Sequence, residues 1–374
     1  MDLTSAFMLI GMFLSLVVGE AALFGSTLQV SISVPPEVSR TGFTAETAEQ
    51  VFVAETGRIG QTHSLIPPPV IQTTGHPGVL SSLAKPLKLD PAVAAVQQLV
   101  GLHATTVAGS IIVSSPAPAL EMIATVTVPR EATYKLALSQ PDGNPTALVE
   151  EMARRVSEDV LPYRVALAEF TRAIHGDSAA RQRAKQTVAR TLAKPWDPLM
   201  ATQRVMMLNL AAMIALLEGD QAEAERQLIR SEPVPDAEPM AHGAVAINRA
   251  FLAVANRHPA EARAFYQAGR RLTSRIPLPK FQREVDLLEA LVLWSDGDRD
   301  RAETILRAVI KAMPDCDEAR FYLGDLLASL GRTAEADEQY RVAAVVRRFD
   351  TLVGTLAHTL FRVDPVNGGL TRFP

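Results

Sequence analysis

The chain has little cysteine and little lysine, and few side chains that do chemistry in groups. Its 374 residues include one cysteine, Cys316, and 7 lysines among 37 basic residues, and 5% are aromatic. A single thiol closes no intrachain disulfide, so burial must hold the fold, and the compartment stays open. Positive charge is not in excess: 41 acidic residues against 37 basic give a net charge of −4. That excludes the massed basic face of a nucleic-acid-binding protein. The seven histidines, at 63, 76, 103, 175, 242, 258 and 358, never stand within helical reach of one another, which argues against a metal site. Also missing are G-x-x-x-x-G-K-[ST], G-x-G-x-x-G after a strand, H-E-x-x-H and G-x-S-x-G. Ser82-Leu83-Ala84-Lys85 fits S-x-x-K, but Pro86 follows it and the companion elements are absent. The expectation is a protein without cofactor, nucleic acid or small-molecule substrate.

Charge is unevenly distributed. Residues 37–140 carry 7 acids and 6 bases in 104 positions, whereas residues 141–374 carry 32 and 31 in 234. The break falls at Pro141-Asp142-Gly143-Asn144-Pro145, a turn and a helix start in one, with Asn144 as N-cap and Pro145 at the first helical position. Three parts are expected: an anchor over 1–25, a small α+β module over 26–140 and an all-α part over 141–374. Pro162 should divide the helix that runs from Leu148 to Phe170, leaving its first piece with the α+β module and its second with the helical part.

Ala6 to Phe24 is nineteen residues with one charge. As a helix it extends roughly 28 Å, close to the thickness of a bilayer core. Glu20 would sit at headgroup level, with Ala21 to Phe24 beyond it. A cleaved signal peptide remains open, with Ala6 to Val18 as its apolar stretch and Gly19-Glu20-Ala21 as its cleavage site, although Met1 to Ser5 hold no basic residue. The retained anchor is favoured: a single-pass helix over residues 6–24 in the inner (cell) membrane, with the globular part in the periplasm. The excess of arginine over lysine is that of a GC-rich bacterial genome.

In the middle module Leu28, Val30, Ile32 and Val34 alternate with polar residues, as in a half-buried strand, until Pro35-Pro36 stops it. A helix follows, capped by Thr44, with Ala48, Val51 and Phe52 on its apolar stripe. Gln61 to Leu87 is proline-rich, almost uncharged and without period, which is long for a connection. A second helix is expected from Asp90-Pro91 to Gly101, then strands over Val107–Val113, Met122–Val128 and Tyr134–Leu138. The last two should pair as an antiparallel hairpin, in a small sandwich with helices on one face of a sheet. The rival functional class is a periplasmic or membrane-associated enzyme, with its site by the 61–87 loop where His63, His76 or Ser82 could meet a charged residue.

The second half is written in helical period and repeats itself. Gly331-Arg332 then Ala336 are preceded 34 residues earlier by Gly297-Asp298 then Ala302. The last unit reads Leu323-Gly324, Leu327, Gly331, Ala336, Tyr340 and Ala343; the one before keeps Ala290, Leu293, Gly297, Ala302, Leu306 and Pro314. This pattern resembles the tetratricopeptide repeat, with Leu327 where that family prefers tyrosine and Arg320 where it prefers tryptophan. Upstream, Arg257, Ala262 and Tyr266, and Gly219-Asp220, Ala224 and Leu228, echo it at steps of 40 and 38 between the alanines. His175-Gly176-Asp177 hints at a fifth hairpin, although Arg181 stands where a small residue should pack.

The resemblance implies a solenoid of stacked antiparallel helix pairs that binds a protein partner. It also implies that the first helix of each pair lines a concave face, at Ile247, Phe251 and Val254, at Leu287, Leu291 and Trp294, and at Phe321, Asp325 and Ala328. That set makes an apolar groove for a helix or an extended segment. The lysine and asparagine clamp with which some relatives hold a C-terminal carboxylate is missing. The bland alternative is that Phe251 and Trp294 are covered by adjacent helices and by Leu352 to Phe361 folding back. The implied function is a membrane-anchored scaffold or adaptor for a protein partner.

Overall fold

The computed structural model describes residues 27–60, 70–73, 105–114, 119–128, 133–174, 176–195, 200–274, 279–346, 361–363 and 370–372. The chain divides into two compact units between Val165 and Ala166. The first contains β1 (Thr27–Ser33), α1 (Pro36–Ser39), α2 (Ala45–Gly60), β2 (Val70–Thr73), β3 (Thr105–Val113), β4 (Leu120–Thr127), β5 (Tyr134–Gln140) and α3 (Pro145–Val160). Its sheet has the order β2-β1-β3-β4-β5. β1 runs parallel to both neighbours, while β3–β4 and β4–β5 are antiparallel. The expected hairpin forms with Val126 opposite Tyr134.

Alternation decides which face is buried. Leu28, Val30 and Ile32, Val107 and Ile111, and Leu120, Met122, Ala124 and Val126 share one core with Ala48 and Phe52 of α2 and Leu148, Val149, Met152, Ala153 and Val156 of α3. α3 thus packs on the sheet, as its separation by Pro162 requires. Its start is held by Asn144, whose Oδ1 accepts from Thr146 N at 3.1 Å and Ala147 N at 3.2 Å, with Pro145 in the first turn. Thr44 Oγ1 caps α2 by accepting from Thr47 N at 3.2 Å.

The structure departs from the sequence reading at β2, which lies inside the stretch that shows no period. Four residues are too few to display alternation, and β2 takes its order from pairing with β1. β2 ends opposite Val30; beyond it the N–H of Ile32 donates to the buried carboxylate of Glu49 at 3.3 Å. A side chain of α2 thus stands in for a ladder partner. The anchor over 6–24 and the helix expected from Asp90 to Gly101 lie outside the described residues. Among the described residues, no helix is long and apolar enough to cross a membrane.

α4 (Pro162–Ile174) spans the division. The second unit continues with α5 (Ser178–Leu192), α6 (Ala201–Leu217), α7 (Gln221–Ser231), α8 (Pro239–Ala255), α9 (Pro259–Thr273), α10 (Pro279–Ser295), α11 (Arg299–Ala312), α12 (Asp317–Ser329) and α13 (Thr333–Val346). Two short strands follow, β6 (Phe361–Val363) and β7 (Leu370–Arg372), paired antiparallel. The helices associate as α6/α7, α8/α9, α10/α11 and α12/α13; each second helix packs on the next first helix, and α8 also packs on α6 and α10.

One turn geometry closes every pair. Gly219, Gly297 and Gly331 take φ of +77, +90 and +76, and the N–H after each reaches back five residues, Asp220 to Ala215 O at 2.9 Å, Asp298 to Leu293 O at 2.9 Å and Arg332 to Leu327 O at 3.0 Å. Asp220 and Asp298 then cap the following helix by accepting from Glu223 N at 2.9 Å and Arg301 N at 3.3 Å. Gly-Asp is therefore a helix stop and a helix start in adjacent positions. The α8/α9 turn makes the same bonds, with His258 N to Ala253 O at 2.8 Å, yet puts Arg257 at a φ of 60. A side chain there is strained. Arg257→Gly should raise stability by about 0.5–1 kcal/mol net of the added chain entropy. Urea denaturation would show this, and an unchanged or lower midpoint would refute the strain.

Candidate functional site

Small residues lie where paired helices touch. Ala224, Ala262 and Ala302 are fully buried and Ala336 nearly so, each on the inner stripe of a second helix. Opposite them Gly324 of α12 leaves room for an aromatic ring: a Cβ there would stand 2.6 Å from Tyr340 Cε1. The Tyr340 hydroxyl in turn donates to Asp325 at 2.5 Å, and its ring lies 5.8 Å from that of Phe321. The earlier hairpin keeps the turn, with Gly176 at φ +97 and Asp177 N bonded to Arg172 O at 3.2 Å. Its second helix is rotated relative to the others: Ala180 and Ala184 are the buried small residues, and Arg181 faces Glu218 of α6 at 3.9 Å. The misfit at Arg181 therefore reflects a shifted register in α5, which packs on α6.

First and second helices differ sharply in burial. The second helices bury a stripe at helical spacing, such as Ala262, Tyr266, Gly269 and Thr273 in α9 or Ala302, Leu306 and Val309 in α11. The first helices are buried in unbroken runs, Val205 to Leu210 in α6, Ala250 to Ala255 in α8 and Ala290 to Trp294 in α10. Each run exceeds one helical turn, so those segments have no side open to water. Within this core Asn248 Nδ2 of α8 donates to Asn209 Oδ1 of α6 at 2.8 Å. Asn248→Leu alone should cost about 1–3 kcal/mol by removing the donor from a buried carbonyl, while the Asn209→Leu/Asn248→Leu pair should recover most of it. A double-mutant cycle on thermal melts measures this, and strictly additive losses would refute the coupling.

Of the candidate groove residues, Ile247, Phe251, Leu287, Leu291 and Trp294 are core: none is more than 3% exposed. Val254 is buried with them. Phe321 and Asp325 are half-buried and Ala328 is exposed, so the accessible part of the set lies on α12 alone. At the start of that helix Cys316 is buried; burial foremost, then the neighbouring Glu318 carboxylate, pushes its thiol up to about 12, which keeps it protonated and unreactive. Burial also raises the Tyr266 and Tyr340 phenols, helped by the carboxylates of Glu289 and Asp325 that accept from them.

The abundant charge of this half is used pairwise on the outer surface. Arg332, just before α13, bonds Glu303 of α11 at 2.9 Å, and Glu303 also holds Arg307 at 2.8 Å. Arg270 of α9 meets Glu289 and Asp286 of α10. Pairs of this kind, screened by solvent, contribute little to stability. His63, His76 and Ser82 lie outside the described residues. Among the described residues, no group of three His, Cys, Asp or Glu side chains is placed to hold a metal ion.

Paired helices, a small residue at each crossing and one repeated turn set what the comparison with known families can mean. The family model described as tetratricopeptide repeat matches residues 287–350. Over these residues the chain is similar to the tetratricopeptide repeat. The match covers the last two helix pairs from within α10 onward, and the repeat geometry continues upstream through α8/α9 and α6/α7. No curated protein matches the chain.

The sequence reading missed β6 and β7. β7 packs against α8 and β6 against α12. A signal was present: Phe361-Arg362-Val363 and Leu370-Thr371-Arg372 flank Asn367-Gly368-Gly369, the residue types of a hairpin turn.

Proposed function

We propose that the chain is a membrane-anchored adaptor whose tetratricopeptide repeats hold a protein partner. The observation that carries this reading is the stack of four helix pairs whose terminal part matches the repeat family, a scaffold suited to partner binding. The accessible edge of the first-helix face, Phe321, Asp325 and Ala328 on α12, is where a partner makes first contact. Residues 6–24 supply the anchor, a single helix in the cell membrane with the globular part in the periplasm.

Ala328→Arg tests the contact without touching the core. With the full chain as bait, a protein captured by the parent and by an Arg226→Ala control on the outer surface should fall at least about tenfold with Ala328→Arg, at unchanged melting temperature. Equal capture by all three removes α12 from the interface. Retention of the chain in membranes through alkaline carbonate, lost on deletion of residues 1–25, tests the anchor.

A further inference from the structure

The hydrogen bonding of the sheet fixes what its β5 edge presents. Just past β3 the N–H of Ser114 donates to Ala119 O at 2.9 Å, and these residues stand opposite each other in the register that pairs Val113 with Leu120. Opposite residues of an antiparallel pair alternate between bonded and non-bonded. On β4 the odd-numbered residues therefore bond to β3, and Leu120, Met122, Ala124 and Val126 bond to β5, where Gln140, Leu138, Leu136 and Tyr134 face them. Lys135, Ala137 and Ser139 are left with N–H and C=O groups directed away from β4. Their side chains are exposed, and among the described residues no strand lies beyond β5. Such an edge is a template for another strand unless it is guarded. The guards are sparse here: β5 has seven residues, no proline, an unbroken register with β4 and one charge, Lys135. β2, at the opposite edge, is only four residues long.

We infer that β5 is a self-association edge, pairing antiparallel with β5 of a second copy about a two-fold axis at Ala137. In that register Lys135 stands opposite Ser139 of the second copy and Ala137 opposite its counterpart, so every outward N–H and C=O of the three residues finds a partner. On the core side Leu136 meets Leu138 of the second copy. Both leucines are only half-buried where the sheet stops, although they pack against the core that β4 and α3 share. Pairing carries that core across the seam, with α3 of each copy on the same face, because opposite residues of an antiparallel pair point to one side. The two Lys135 side chains fall four positions apart along the seam, roughly 14 Å at 3.4 Å per residue, and are largely screened from each other. A second copy thus supplies the hydrogen bonds, the apolar match and a register without opposed like charges. The inference concerns the first compact unit and stands apart from the adaptor reading.

The test is sedimentation equilibrium of the full chain in density-matched non-ionic detergent. The parent should dimerise with a dissociation constant below about 100 μM, as a short interface allows. Ala137 is exposed and stands at the axis, so Ala137→Lys or Ala137→Asp sets like charges opposite each other without entering the core. Each variant alone should dimerise at least about threefold more weakly than the parent, and an equimolar mixture of the two at least about fivefold more tightly than either. Ala137→Pro removes the outward N–H at the axis and keeps the bonds to β4, so it should melt as a folded protein and stay monomeric at about 100 μM. A parent that is monomeric at that concentration overturns the inference. So does a dimer equally strong in all variants, which places the contact elsewhere. Weakening by both charges with no recovery in the mixture overturns it as well, since the edge would then face something other than its own copy. Loss of the melting transition in Ala137→Pro does the same, because that N–H would belong to the ladder with β4.

Discussion

Phe251→Asp should cost the repeat unit about 5 kcal/mol, combining the loss of a large buried ring with a carboxylate placed where water is excluded. Phe251 is 1% exposed in α8 and Trp294 is 2% exposed in α10, so Trp294→Asp should behave alike. Losses of that size are comparable with the whole stability of a domain, and thermal melting followed by helical circular dichroism should show a collapsed or absent transition. Phe321→Asp, on the half-buried edge of α12, should lose only about 1–2 kcal/mol. The contrast matters for function. Substitutions at Phe251 or Trp294 report on folding, and only α12 offers positions where a change reads partner contact. A parent-like melt for Trp294→Asp would mean that this side of α10 is open to water.

Ala302→Arg should lower stability by about 3 kcal/mol or more, and Ala336→Arg by a similar amount. Ala302 has no exposed surface and Ala336 1%. Each sits where the two helices of a pair touch, so a guanidinium must either force the helices apart or bury an unpaired charge. Ala302→Gly is the informative companion: it keeps the space and should cost only about 1 kcal/mol of helix propensity. If Ala302→Arg and Ala302→Gly melt together, the crossing point is loose and the register of the repeats is misassigned. Arg181 shows why position in the motif is not sufficient. In α5 the buried small residues are Ala180 and Ala184, and Arg181 is half-buried beside Glu218, so arginine is accommodated there.

Much of the fold was legible in the residues because its causes are local. Gly-Asp writes a left-handed stop and an N-cap in adjacent positions, so Gly219-Asp220 and Gly297-Asp298 mark turns without reference to anything distant. Asn144-Pro145 marks the start of α3 in the same way. The alternation in β1 and β4 shows which face is buried for the same reason, since side chains on a strand must point to opposite sides. β2 was not legible, because four residues carry no period and their order comes from β1. Nor was the burial of Ile247, Phe251, Leu287, Leu291 and Trp294, whose spacing is that of an apolar face and is identical whether the face is open or covered.

The residue pattern by itself determined the helix pairs, their turns, the small residues at their crossings and the sheet with helices on one side. Each of these follows from dihedral preference, capping and hydrophobic period within a few positions. Only the tertiary structure decided that α6, α8 and α10 are buried all round over more than a turn, that α5 is rotated relative to the other second helices, and that β7 meets α8 and β6 meets α12. Those outcomes depend on which apolar surfaces meet when distant segments compete for the same burial, and local sequence carries no record of the winner.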